Sequence, residues 1–205
     1  MSFFNNNINL YQKYFNKSNS NNISKNNNNN NSNIYNNLVK NSIVNCLYNI
    51  IINDFSYNEL NQLNILDFGI KLGKQIRNKN IICILHGIET SLQKIEKAIE
   101  EDCYHRIFNV NIVEDNFVSN KKYDFILIDD IFIEGHYPFS ILQILATYMK
   151  SGGLIIANIS SNYKDKNIMD FNEHIINNTE LVLISNIHIK EIEEDNYFYV
   201  ILKKL

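Results

Sequence analysis

The chain has 205 residues, 45% of them hydrophobic, with a formal net charge of −3 and a pI near 5.9. That length holds one domain with a sizeable core plus a tail, and the acidic balance supplies no broad positive field to attract a phosphate backbone, so composition does not suggest nucleic-acid binding. Three widely separated cysteines, Cys46, Cys83 and Cys103, exclude a disulfide scaffold and any CxxC pair; with neither a secretion-type leader nor an apolar run of roughly 18 residues, the sequence predicts a cytoplasmic protein with no membrane span.

Residues 1–33 form an Asn-rich tail whose stretch from Asn16 to Asn33 is nearly all Asn, Ser and Lys. Such a segment buries too little apolar surface to offset the entropy of ordering, so it is expected to be disordered, although the aromatics between Phe3 and Phe15 are compatible with a loosely attached helix. The domain is expected over 34–205. It opens with an amphipathic helix between Ile34 and Asn53, on which Tyr35, Leu38, Val39, Ile43, Cys46, Leu47 and Ile50 recur at helical spacing.

A regular alternation follows. Asn64–Phe68, ending at Gly69, and Ile81–Leu85, ending at Gly87-Ile-Glu89, read as buried strands. Thr90 with Gln93 three positions on has capping-box spacing and predicts a helix whose inner face carries Leu92, Ile95, Ile99 and Cys103. Arg106–Asn111 and the strongly apolar Asp124–Asp129 are the third and fourth strands; continuous hydrophobicity is what a parallel strand covered on both faces requires. Pro138 suits a helix start, with Ile141, Leu142, Leu145, Tyr148 and Met149 inward and Gly152 as its stop. Leu154–Asn158 is a fifth strand, Ile168, Phe171 and Ile175 mark a further helix, and Leu181–Ile189 with Tyr197–Leu202 form a hairpin around an acidic turn. The order specifies an α/β fold: a doubly wound, Rossmann-like, mostly parallel seven-stranded sheet with a C-terminal antiparallel hairpin.

In such sheets a ligand binds beyond the carboxyl ends of the strands, where strand order reverses. The first strand ends in Asp67-Phe-Gly-Ile-Lys-Leu-Gly73, where glycines let the backbone turn sharply and approach a nucleotide-like ligand. About 20 residues on, Glu89 ends the second strand, the position from which a carboxylate accepts both ribose hydroxyls of an adenosine; a solvated carboxylate at a helix start is the alternative. His86, His105, His174 and His188 do not pair on any helical face, Cys103 with His105 lacks further ligands, and no P-loop, nucleophile-elbow or zinc-protease motif occurs, so no metal site is expected.

Gly87-Ile-Glu-Thr-Ser with Leu92–Ala98, then Tyr123–Asp130, then Tyr148–Ala157 together resemble a class I S-adenosylmethionine-dependent methyltransferase, and Asp130-Ile-Phe-Ile-Glu-Gly-His-Tyr-Pro138 resembles the Asp-Val-Leu-Glu-His-Leu-x-Asp-Pro-like segment of the small-molecule and glycan-associated members. The resemblance runs from about Ile65 to Ser160. It implies S-adenosylmethionine as cofactor, with Asp67, Gly69 and Gly73 shaping the pocket for the methionine half, Glu89 on the ribose, Asn111 and Ile112 beside the adenine, and Asp130 near the methionine amino group or the reacting centre. The family segment's Glu-His pair is displaced: Ile133 and Glu134 fall in its register and His136 follows two positions later, so His136 and Glu134 are the candidate acid–base residues, against the alternative that a lone loop histidine is a surface residue.

Two departures stand out. Lys71 occupies the position of a family glycine and Asn111 that of an aspartate. A lysine there must turn its side chain away from the cofactor or pair its ammonium with the cofactor carboxylate, while the Asn111 carbonyl oxygen can still accept from the adenine amino group. The leading reading is a methyltransferase acting on a small molecule; the second is an inactive methyltransferase-fold protein serving as scaffold or as the partner of an active methyltransferase subunit. A nicotinamide-dependent enzyme is disfavoured by the terminal hairpin, since a dinucleotide needs a second parallel half.

Overall fold

A computed structural model describes residues 43–52, 63–115, 117, 119–129, 138–160, 180–190 and 196–205. The strands are β1 (Asn64–Phe68), β2 (Ile84–Glu89), β3 (Arg106–Asn109), β4 (Tyr123–Asp129), β5 (Met149–Ser160), β6 (Leu181–Lys190) and β7 (Asn196–Lys204). The helices are α1 (residues 43–52), α2 (Gly73–Asn78), α3 (Leu92–Glu101) and α4 (Pro138–Ala146). All seven strands form one sheet in the order β3-β2-β1-β4-β5-β7-β6. β1 to β5 run parallel, and β7 pairs antiparallel with both β5 and β6.

The apolar strands are explained by cover on both faces. Along β4, Phe125 and Leu127 join Ile65, Leu85, Ile156 and Ile201 beneath α1 and the Leu72 and Ile76 side chains of the α2 region. Ile126 and Ile128 point the other way, joining Leu66, Ile88, Ile155 and Leu202 beneath Ile141, Leu142 and Leu145 of α4. Successive side chains of a strand take opposite faces, so a strand covered on both faces is apolar at consecutive positions through its middle. Each fully buried Leu or Ile contributes about 1.5–3 kcal/mol relative to exposure.

The observed sheet agrees with the expected fold, and β7 takes, antiparallel, the sixth position that a dinucleotide-binding sheet gives to a parallel strand. Several local expectations are corrected. α3 is not capped by a Thr90–Gln93 box: its N-cap is Ser91, which makes no side-chain capping bond, and the Glu89 carboxylate accepts the Thr90 and Ser91 N–H groups instead. Nor do Leu92, Ile95, Ile99 and Cys103 form a buried inner face. Ala98 is the buried residue of α3, and Leu92 and Ile99 are each 64% exposed. The helix lies along the β2–β3 edge of the sheet, where four-residue β3 is the last strand and offers nothing beyond itself to cover a wider stripe.

Gly152 does not stop a helix. α4 ends at Ala146, and Gly152 lies inside β5 with a φ of +78°, where the β4–β5 register shifts between the Tyr123–Met149 and Phe125–Leu154 pairs. The strand bulges there, and the left-handed backbone favours glycine. The 1–33 tail, the first part of the 34–53 helix, the Ile168–Ile175 helix and the acidic turn lie outside the described residues. Among the described residues no helix is long and apolar enough to cross a membrane.

Candidate cofactor site

The strand order reverses between β1 and β4, so the crevice is bounded by the carboxyl ends of those strands and of β2. β1 ends in Asp67 and Phe68, and the chain then turns through two left-handed residues, Gly69 at φ +92° and Ile70 at φ +42°. Glycine adopts that region freely; a β-branched residue does so at a cost of about 1–3 kcal/mol. Ile70 fills the space beside Gly87: its Cγ2 atom lies 2.3 Å from the position a Cβ on Gly87 would occupy, so residue 87 has to be a glycine while Ile70 keeps its place.

Asp67 is completely buried. Its Oδ2 accepts the Leu72 N–H at 2.7 Å and the Tyr104 hydroxyl at 2.6 Å, and that hydroxyl accepts the Gly73 N–H at 2.9 Å. Among the described residues no donor meets Asp67 Oδ1. Burial pushes the Asp67 carboxyl up to about 6, against the opposing pull of the Tyr104 and Leu72 hydrogen bonds; the neighbouring Asp129 charge adds to the rise and Lys71 counters it. Burial and the adjacent Asp67 likewise push the Tyr104 phenol well above its ordinary range, so it stays protonated and donates. Gly73 is required by this tyrosine: a Cβ there would sit 2.5 Å from two of its ring atoms.

Lys71 neither turns away into solvent nor lies idle. Its Nζ donates to the Asp129 backbone carbonyl at 2.9 Å, bridging the carboxyl ends of β1 and β4. Its Cε passes 3.9 Å from where a Cβ on Gly69 would be, and beyond the residues adjoining Gly69 no other atom of the described residues comes within 4 Å of that point.

Glu89 ends β2 almost wholly buried. Its Oε1 accepts the Thr90 N–H at 2.8 Å and the Ser91 N–H at 3.0 Å, and its Oε2 receives Lys94 Nζ at 2.9 Å. Burial on its own raises this carboxyl, but those backbone donors and Lys94 outweigh it and hold the group below the usual carboxylate range. The group is therefore ionised, and Oε2, with one partner among the described residues, retains a lone pair for a further donor.

Asn111 and Ile112 lie in the turn after β3. Asn111 Oδ1 accepts the Val113 N–H at 3.1 Å and its own N–H goes to Asp115 Oδ2 at 2.6 Å, an Asx-type turn. The Ile112 side chain is buried in the α4-side core. The structure thus gathers Asp67, Gly69, Gly73 and Glu89 at the ends of adjacent strands, with Asn111 and Ile112 after the next; Asp130, Glu134 and His136 lie outside the described residues. Tyr104, Lys94 and Asp129 were not singled out in the sequence. Tyr104 carries no motif; Lys94, one turn into a helix that starts after Glu89, was the discoverable one.

The architecture is that of the class I S-adenosylmethionine-dependent methyltransferases. It superposes on the N-methyltransferase NodS from Bradyrhizobium japonicum WM9 in complex with S-adenosyl-L-homocysteine, at 15% identity over 69% of this chain and 78% of that one, with a TM-score of 0.52. The plantazolicin methyltransferase BpumL, in complex with a pentazolic desmethylPZN analog and S-adenosyl-homocysteine, superposes at 16% identity over 70% and 77% with a TM-score of 0.54. A chain of the fibrillarin/Nop5p complex does so at 14% identity over 70% and 73% with a TM-score of 0.56. No family model and no curated protein sequence matches this chain.

Proposed function

We propose that this protein binds S-adenosylmethionine across the carboxyl edge of β1 and β2 and transfers its methyl group to a small molecule. The observation that carries the reading is the pair of buried carboxylates, Asp67 and Glu89, each with an oxygen able to accept another hydrogen bond, beside a glycine turn. The fold likeness to proteins solved with S-adenosyl-homocysteine supports it. Bound there, the cofactor supplies an electrophilic methyl on a sulfonium. In this reading Gly69 and Gly73 shape the turn against the methionine half, Glu89 accepts from the ribose hydroxyls, Asn111 and Ile112 flank the adenine, and Asp130 approaches the methionine amino group or the reacting centre. His136 or Glu134 takes the acceptor's proton; alignment is the chief requirement of such a displacement. The setting is cytoplasmic, consistent with three free thiols.

A second reading, a methyltransferase-fold scaffold or partner subunit, is favoured by one observation: the side chains of the turn already satisfy one another, Lys71 on the Asp129 carbonyl and Tyr104 on Asp67. Calorimetry separates the two. The enzyme reading expects micromolar binding of S-adenosylmethionine or S-adenosylhomocysteine, weakened at least about tenfold by Glu89→Ala, as for loss of a hydrogen bond to a charged group. Absent or millimolar binding supports the scaffold.

A further inference from the structure

Three observations converge on Lys71. It stands in the turn after β1, where the sheet's strand order reverses; its ammonium is seated on the Asp129 carbonyl at the end of β4, 2.9 Å away; and its stem lies over Gly69, whose surface is otherwise open among the described residues. A carbonyl at a strand's carboxyl end, beside the buried Asp67, is a seat for a cation. Lys71 provides the cation from within the chain.

We propose that Lys71 is an intramolecular competitor, its ammonium holding the seat that the ammonium of an amino-acid-bearing ligand has to take, so that such a ligand binds only by displacing it. The inference rests on the cofactor reading above and adds the regulation of that site: entry of the amino-acid half is opposed, and entry of the adenosyl half is not. The backbone supports this geometry. Gly69 and Ile70 are both left-handed, Ile70 fills the space beside Gly87, and the Lys71 that follows reaches the end of β4. Displacement exchanges a charge-assisted hydrogen bond for hydration, which corresponds to roughly a ten- to hundredfold loss of affinity.

The test is isothermal titration of the full chain and of Lys71→Ala and Lys71→Met with two thioethers, S-adenosylhomocysteine and 5′-methylthioadenosine, which lacks the amino-acid tail. Thermal midpoints verify that each variant is folded. Lys71→Ala is expected to bind S-adenosylhomocysteine about tenfold or more tighter than the wild type, with a much smaller change for 5′-methylthioadenosine. Lys71→Met, which keeps the stem and removes the charge, is expected to share most of that gain. Unchanged or weaker S-adenosylhomocysteine binding by Lys71→Ala, an equal gain for both thioethers, or a Lys71→Met variant indistinguishable from wild type overturns the proposal while leaving the cofactor reading intact. Failure of wild type and variants alike to bind S-adenosylhomocysteine overturns both.

Discussion

The Tyr104 hydroxyl lies 2.6 Å from Asp67 Oδ2 and 2.9 Å from the Gly73 nitrogen, donating to the first and accepting from the second. One phenol thereby ties the end of β1 to the first turn of α2, and its ring fills the space that glycine leaves at position 73. The turn is organised around an aromatic side chain from the approach to β3, about thirty residues away in sequence.

That packing makes the two positions energetically coupled. Gly73→Ala drives a methyl into the Tyr104 ring and is expected to cost about 1–3 kcal/mol by overpacking. In a Tyr104→Ala background the same substitution meets no ring, and its cost should shrink by about 1 kcal/mol or more. A double-mutant cycle from urea denaturation measures the coupling; additive effects would refute it.

Asp67 makes stability fall with rising pH. Its folded-state carboxyl titrates near 6 instead of 3.8, so the folded protein holds a proton that the unfolded chain has released, and this contribution is present below about 4 and lost as the pH passes 6. At about 1.4 kcal/mol per pH unit the swing is on the order of 3 kcal/mol. Asp67→Asn lacks it, so the stability difference between Asp67→Asn and wild type should move in the variant's favour by about that amount between pH 4 and 7 and then level off, as followed by denaturant midpoints. A flat difference would contradict this.

Glu89 and Lys94 should behave unequally although they touch. Glu89→Ala removes the charged acceptor of the Thr90 and Ser91 N–H groups ahead of α3, at about 1–3 kcal/mol. Lys94 is more than half exposed, and Lys94→Ala should cost less than about 1 kcal/mol and still less in high salt. Thermal midpoints of the two variants at low and high ionic strength decide the matter.

Leu127 and Leu92 provide a contrast between equal side chains. Leu127→Ala, fully buried in β4, is expected to cost about 2–5 kcal/mol. Leu92→Ala, on the open side of α3, should lie within about 0.5 kcal/mol of wild type. A large loss at Leu92 would mean that the α3 stripe is covered in solution.

The sheet was legible because hydrophobic runs such as Phe125–Ile128 have one physical cause, cover on both faces, and that cause leaves a run and not an alternation. The hairpin was legible for the same reason of pattern. α3 misled because its helical periodicity is genuine but names a stripe without saying what it faces; at the β3 edge only Ala98 is inside. At the site, Asp67, Gly69 and Glu89 were readable from their place after strands. Tyr104 was not, since only folding brings it to Gly73, and the path of Lys71 to the Asp129 carbonyl depends on the left-handed Ile70, which no local preference favours.

β7 lies between β5 and β6, so β6 is separated from the parallel part of the sheet by a strand made after it. During synthesis β6 leaves the ribosome before β7, the strand it pairs with, so its place in the sheet opens only once β7 has been made. Until then the outer side of β5 is an open edge, and a nascent chain stalled within the hairpin would be the form most exposed to chaperone capture or to pairing with a neighbouring chain.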